Sequence, residues 1–152
     1  MKGSSASSAL VLRAATIWLA LMTVETVHGV LRTLLLVPAI GDFPARQVGV
    51  LTGSLLVLLV TALSGPWLRA ETTLSQLLVG AFWLLLTLLF EVSLGRFGFG
   101  YSWERLASDY NVLRGGLLPF GLLVLLLAPW ATARLTAQLR RYRLGDGPGT
   151  AP

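Results

Sequence analysis

Four long apolar stretches, separated by short breaks of proline, glycine and charge, set the pattern of this chain. They lie at about residues 14–37, 48–66, 74–94 and 115–133. Runs of this length, too apolar throughout for the alternation of a half-buried strand, predict helices that cross a bilayer. Pro38 with Gly41-Asp42-Phe43-Pro44 forms the first expected turn, because proline lacks a donor and restrains the residue before it. Ser64-Gly65-Pro66-Trp67 closes the second span, and Arg69-Ala70-Glu71 makes a short connection to the third. The predicted fold class is an all-α membrane protein, an antiparallel four-helix transmembrane bundle.

Only one connection is long. Residues 95–116, GRFGFGYSWERLASDYNVLRGG, mix glycines, aromatics and both signs of charge. They read as a structured external segment at the membrane surface, with a short helix from an N-cap at Ser102 to Leu113. The stretch can also be read as a lid hinged at Gly98, Gly100, Gly115 and Gly116. Residues 1–9 are small and polar and are expected to be a disordered tail; residues 135–152 are first basic, then expected to be disordered. The basic part, Arg134 to Arg143 with Tyr142, suits a contact with anionic lipid. Lys2 and Arg13 precede an apolar run as in a secretory signal, but Glu25 interrupts that run and no Ala-x-Ala site follows.

The two halves share landmarks. Glu25-x-x-x-Gly29, Arg46, Gly53 and Pro66-Trp67 recur in order as Glu91-x-x-x-Gly95, Arg114, Gly121 and Pro129-Trp130. Glutamate and arginine are separated by 21 and 23 residues in the two copies, but arginine and proline by 20 and 15. The landmarks suggest two repeated helical hairpins, related by a pseudo-twofold axis along the membrane normal. Glu25 and Glu91 would then face each other at similar depth.

Composition sharpens the class. The 152 residues are 55% hydrophobic and 12% charged, whereas about a quarter of a soluble domain is charged. Cysteine is absent and histidine occurs once, so neither a disulfide framework nor a metal centre is read, and no cofactor motif is found. Gly95-x-x-Gly98-x-Gly100 lacks the strand and helix that a nucleotide loop requires. Eleven arginines against one lysine, with abundant leucine, alanine and glycine, suggest a bacterial source. The net charge of +5 is spread over segment ends, which speaks for membrane topology and against nucleic-acid binding. With both termini on one side, that side holds Lys2, Arg13, Arg69, Arg134, Arg140, Arg141 and Arg143, seven cations, against Arg46, Arg96, Arg105 and Arg114 on the other. The expected location is the bacterial inner membrane, with both termini cytoplasmic and residues 95–116 outside.

The candidate chemistry sits in the first span. Glu25, His28 and Arg32 fall within roughly a 60° arc of one helix face. Ionisable groups inside a membrane normally face protein or a wet cavity. Glu25, His28 and Glu91 have the make-up of a proton relay, since an imidazole beside a carboxylate exchanges protons near neutrality. Arg32, Arg96, Arg105, Asn111 and Arg114 are the candidate ligand-binding residues, their guanidinium groups suited to bidentate contact with a phosphate or carboxylate. A competing reading is an ion-pair network that only fixes helix register. The expected partners are the lipid bilayer and an anionic lipid or small anion. A proton-coupled carrier, which four short spans would build as a homodimer, or a proton channel is the alternative, and a non-catalytic assembly or accessory protein is a third.

The strings ETVHGVLR, FEVSLGRF and GYSWERLASDYNVLRGG resemble those of a family of small four-span bacterial inner-membrane proteins, over about residues 25–130. That resemblance implies the four-span fold and carries no activity with it. Histidine and glutamate within a helical bundle are also faintly similar to sterol-isomerase-like membrane proteins, but the Glu-then-His order and the span count differ.

Overall fold

The computed structural model describes residues 2–143, and side chains from residue 7 onward. Within that range the chain is all-helical, with no strand. Its long elements are α1 (Lys2–Leu31), which continues through a π-helical turn (Arg32–Leu36) into α2 (Val37–Ile40), then α3 (Asp42–Leu68), α4 (Thr73–Ser93) and α6 (Leu118–Arg143). A second π-helical turn (Leu94–Gly98), the short α5 (Trp103–Ser108) and a 3-10 turn (Val112–Arg114) fill the long connection. Four helices, Ser7–Ile40, Asp42–Leu68, Thr73–Gly98 and Leu118–Arg143, are long and apolar enough to cross a membrane. Successive spans run antiparallel.

Local chemistry fixes most helix ends. Thr72 and Ser75 form a reciprocal cap at the start of α4, each side-chain oxygen accepting the other's backbone N–H at 3.1 Å. Ser102 caps α5 as its sequence position suggested, its hydroxyl oxygen accepting from the Arg105 N–H at 3.2 Å. Arg69 ends α3 in the left-handed region at φ 55°.

Several ends lie elsewhere than the sequence indicates. The first span passes through Pro38 and stops at Ile40, with Gly41 at φ 86° making the turn. In the π-helical turn the Val37 N–H reaches back to the Arg32 carbonyl, and the wider ring accommodates the proline that follows. Asp42 opens α3 because Pro44 falls in the first turn, where its missing N–H has no intrahelical role. Pro66 lies inside α3 and Pro129 inside α6 rather than ending them. Residues 2–9 are helical, as an uninterrupted extension of the first span. The basic residues to Arg143 belong to α6, and the expected disordered tail beyond them lies outside the described residues.

Around the bundle, α1 packs on α3 and α4, and α6 packs on α3 and α4. Consecutive α3 and α4 share no comparable interface, nor do α1 and α6. The two hairpins are thus laid side by side with like-directed helices adjacent. A twofold axis along the membrane normal cannot bring both like-directed pairs into contact while keeping α1 from α6, so that expectation is corrected.

The apolar core occupies the half of the bundle nearer the termini. Ala14, Ile17 and Leu21 on α1 meet Val57 and Leu68, Val79 and Trp83, and Leu125 and Ala128. Trp83 is fully buried, and its indole N–H donates to the Ala14 carbonyl at 2.8 Å. Trp18 donates to Thr87 Oγ1 at 3.0 Å and meets Phe90 edge-on. Large exposed side chains, Leu55, Leu63 and Leu78 among them, cover the outside, as a lipid-facing surface requires. The core stops one turn before Glu25.

Candidate functional site

Beyond the core, α1 turns its polar face toward α3. There Gly49 and Gly53 form a Gly-x-x-x-Gly pair whose bare backbone receives the side chains of α1. A Cβ at Gly53 would lie 2.7 Å from Glu25 Oε2, and one at Gly49 would lie 2.5 Å from Arg32 Cδ. The glycines therefore make room for a carboxylate and a guanidinium stem.

Glu25, His28 and Thr52 form a hydrogen-bonded chain across the two helices. Glu25 Oε2 is 3.3 Å from His28 Nδ1, and His28 Nε2 is 2.8 Å from Thr52 Oγ1. Thr52 donates its hydroxyl proton to the Val48 carbonyl at 2.9 Å, so its oxygen accepts from His28 Nε2–H. Two atoms of the seam are left over: Glu25 Oε1 and Arg32 Nη1 are buried with no hydrogen-bond partner among the described residues.

At the same end, residues 99–116 are strapped onto the start of α3. Arg46 pairs with Asp109 of the connection and, at 3.4 Å, with Asp42. Arg105 reaches Asp42 at 3.6 Å and lies over the Tyr101 ring. Gln47 donates to the Gly115 carbonyl at 3.0 Å, and Gly115 holds φ 83°. Gly116 is needed for a different reason, since a Cβ there would come within 2.5 Å of the Asp109 carbonyl oxygen. Half-buried Tyr110 sits close to Glu91 and Asp109. Burial first, and then those two acids, push its phenol above the ordinary range, so it stays a proton donor.

The sequence-derived set divides. Glu25, His28 and Arg32 come together in the α1–α3 seam. Glu91, on α4, is within electrostatic range of Glu25 and Asp109 but exposed, without an ion-pair partner among the described residues. Arg96 donates to the Tyr101 carbonyl at 3.3 Å and lies over the Trp103 ring, and Arg105 is held by Asp42. Asn111 caps the 3-10 turn, its side-chain oxygen accepting from the Arg114 N–H, and both border an outer cleft. Thr52, Arg46, Asp109 and Tyr110 join the polar region without having been named as site residues from the sequence. Gly49-x-x-x-Gly53 is the sequence signal for the first of these, since it marks the α3 face on which α1 lies. Among the described residues no group of three or more His, Asp or Glu side chains is placed to hold a metal ion.

Compared with known proteins, the chain matches no family model, no curated protein and no solved structure. The resemblance drawn from the three sequence strings therefore identifies no family. What its residues establish is a four-span, multi-pass membrane protein, in contact with a lipid bilayer, with a polar seam at one end of its bundle.

Proposed function

We propose that this protein is a bacterial inner-membrane protein, both termini cytoplasmic, that binds a small anionic or lipid-headgroup ligand in the α1–α3 seam. Arg32 supplies the positive charge, and the Glu25–His28–Thr52 chain exchanges the accompanying proton. The observation that carries this reading is the pair of buried, unpartnered atoms, Arg32 Nη1 and Glu25 Oε1. A guanidinium N–H out of water and without an acceptor is costly, and an anionic oxygen is the group that removes the cost.

Native mass spectrometry from mild detergent tests this, with wild type beside Arg32→Ala. A charge-assisted hydrogen bond contributes about 1.5–3 kcal/mol, so the variant should retain at least roughly tenfold less co-purifying anion or lipid. Equal adducts on both proteins would sink the reading and leave the seam as scaffolding.

One observation favours a second reading, a proton-coupled carrier or channel. The Glu25 carboxyl and the His28 imidazole lie within hydrogen-bond reach of each other, the contact that a proton transfer needs. In liposomes carrying a pH-sensitive dye, a proton leak that Glu25→Gln abolishes would establish a channel; leak-free wild-type vesicles would exclude one.

A further inference from the structure

Outside the seam, the strapped connection encloses a second feature. A cleft of about 430 Å³ opens between the start of α3 and the α5 region, bordered by Phe43, Arg46, Glu104, Ser108, Asn111 and Arg114. Most of its polar wall is already engaged. Arg46 is held by Asp42 and Asp109, Ser108 donates to the Arg105 carbonyl at 2.6 Å, and the Asn111 side-chain oxygen caps the 3-10 turn. Two charged groups are not engaged: among the described residues, neither the Glu104 carboxylate nor the Arg114 guanidinium has an ion-pair or side-chain hydrogen-bond partner. The Asn111 amide N–H₂ adds donors to the same wall.

Opposite free charges on one cleft select among ligands. A simple anion gains Arg114 but meets the field of Glu104, and a simple cation meets the reverse. A ligand with an anionic and a cationic end satisfies both walls at once. The aromatic residues of the connection mark its depth, because exposed Tyr101 and Trp103 are side chains that favour the headgroup level of a bilayer. We infer that this cleft binds a phosphate–ammonium zwitterion, its phosphate oxygens on Arg114 and Asn111 and its ammonium on Glu104. The group is the headgroup of an ethanolamine phospholipid or the free phosphoethanolamine of the same chemistry. This inference does not depend on the seam reading, since it uses none of the seam's residues.

The test is native mass spectrometry of the full chain in micelles holding equal amounts of phosphatidylethanolamine and phosphatidylglycerol. Wild type should retain the ethanolamine lipid about three- to fivefold over the glycerol lipid, the discrimination that one partly exposed charge pair supplies. Glu104→Gln should abolish that preference, and Arg114→Gln should lower retention of both lipids. Neither side chain has a partner to lose, so the melting temperature of both variants should match wild type and exclude misfolding as the cause. A second arm adds free phosphoethanolamine or inorganic phosphate as competitor. Displacement by phosphoethanolamine alone supports the site with a soluble zwitterion as its source, and resistance to both supports it with the lipid as its source. Equal retention of the two lipids by wild type, or a preference that survives Glu104→Gln, overturns the inference. Neither result would bear on the Arg32→Ala comparison, so failure here is distinguishable from failure of the seam.

Discussion

Gly80→Ala is expected to separate α4 from α6 and to cost the bundle more than any other single methyl group. A Cβ at Gly80 would run into the backbone carbonyl of Leu126, with the carbonyl carbon 2.8 Å away. Side chains yield to such pressure by changing rotamer, and overpacking then costs typically 1–3 kcal/mol. Here both parties are helix backbone and neither can rotate aside. The penalty should reach or exceed the top of that range. Gly29→Ala is the matched control: nothing lies within 4 Å of its added Cβ, and alanine favours a helix over glycine by about 1 kcal/mol. Thermal unfolding in detergent should therefore show Gly80→Ala melting well below wild type, and Gly29→Ala at or above it. Identical melting of the two variants would mean that α4 and α6 do not meet at this glycine.

The second large effect belongs to Trp83→Ala. Trp83 is fully buried where α1, α3, α4 and α6 converge, and it ties α4 to α1 through the Ala14 carbonyl. Emptying that volume should cost about 3–5 kcal/mol, because the surrounding helices collapse only in part. Trp83→Phe separates the two contributions, since it keeps most of the packing and deletes only a donor worth about 1 kcal/mol. The expected order of melting temperatures is wild type, then Trp83→Phe, then Trp83→Ala with the larger gap. Should the two variants melt together, the hydrogen bond and not the packing would be the anchor. Trp83→Ala should also blunt any effect of Arg32→Ala on ligand retention, because loosening α1 disturbs the depth at which its polar face meets α3.

How much of this was legible in the sequence depends on the range over which each feature is encoded. The four spans were readable because a bilayer demands long apolar runs and each run is local. Glu25, His28 and Arg32 were readable for the same reason, as helical periodicity alone puts them on one face. Helix ends were harder. Pro38 resembles a terminator, yet a π-helical turn before it keeps the span going to Gly41, and that adjustment depends on backbone geometry that residue type does not report. Thr52 is found only once the register between α1 and α3 is known, although Gly49-x-x-x-Gly53 points to the face involved. The Arg46–Asp109 pair bridges 63 residues and leaves no local pattern at either end. Arg96 and Arg105 show the limit of residue type as a signal: arginine suits anions in general, and the sequence does not report that a carbonyl, a carboxylate and aromatic rings also contact them.

Because α3 and α4 follow one another without an interface comparable to those around them, the short stretch from Arg69 to Thr72 is a tether, anchored where Gln76 donates to the Ala70 carbonyl at 2.9 Å. All helix–helix adhesion between the two halves runs laterally, α1 to α4 and α3 to α6. The molecule is in that sense a covalent dimer of hairpins: each could enter the bilayer as its own unit, and the tether's part is to keep the two at high local concentration while they find each other sideways in the membrane.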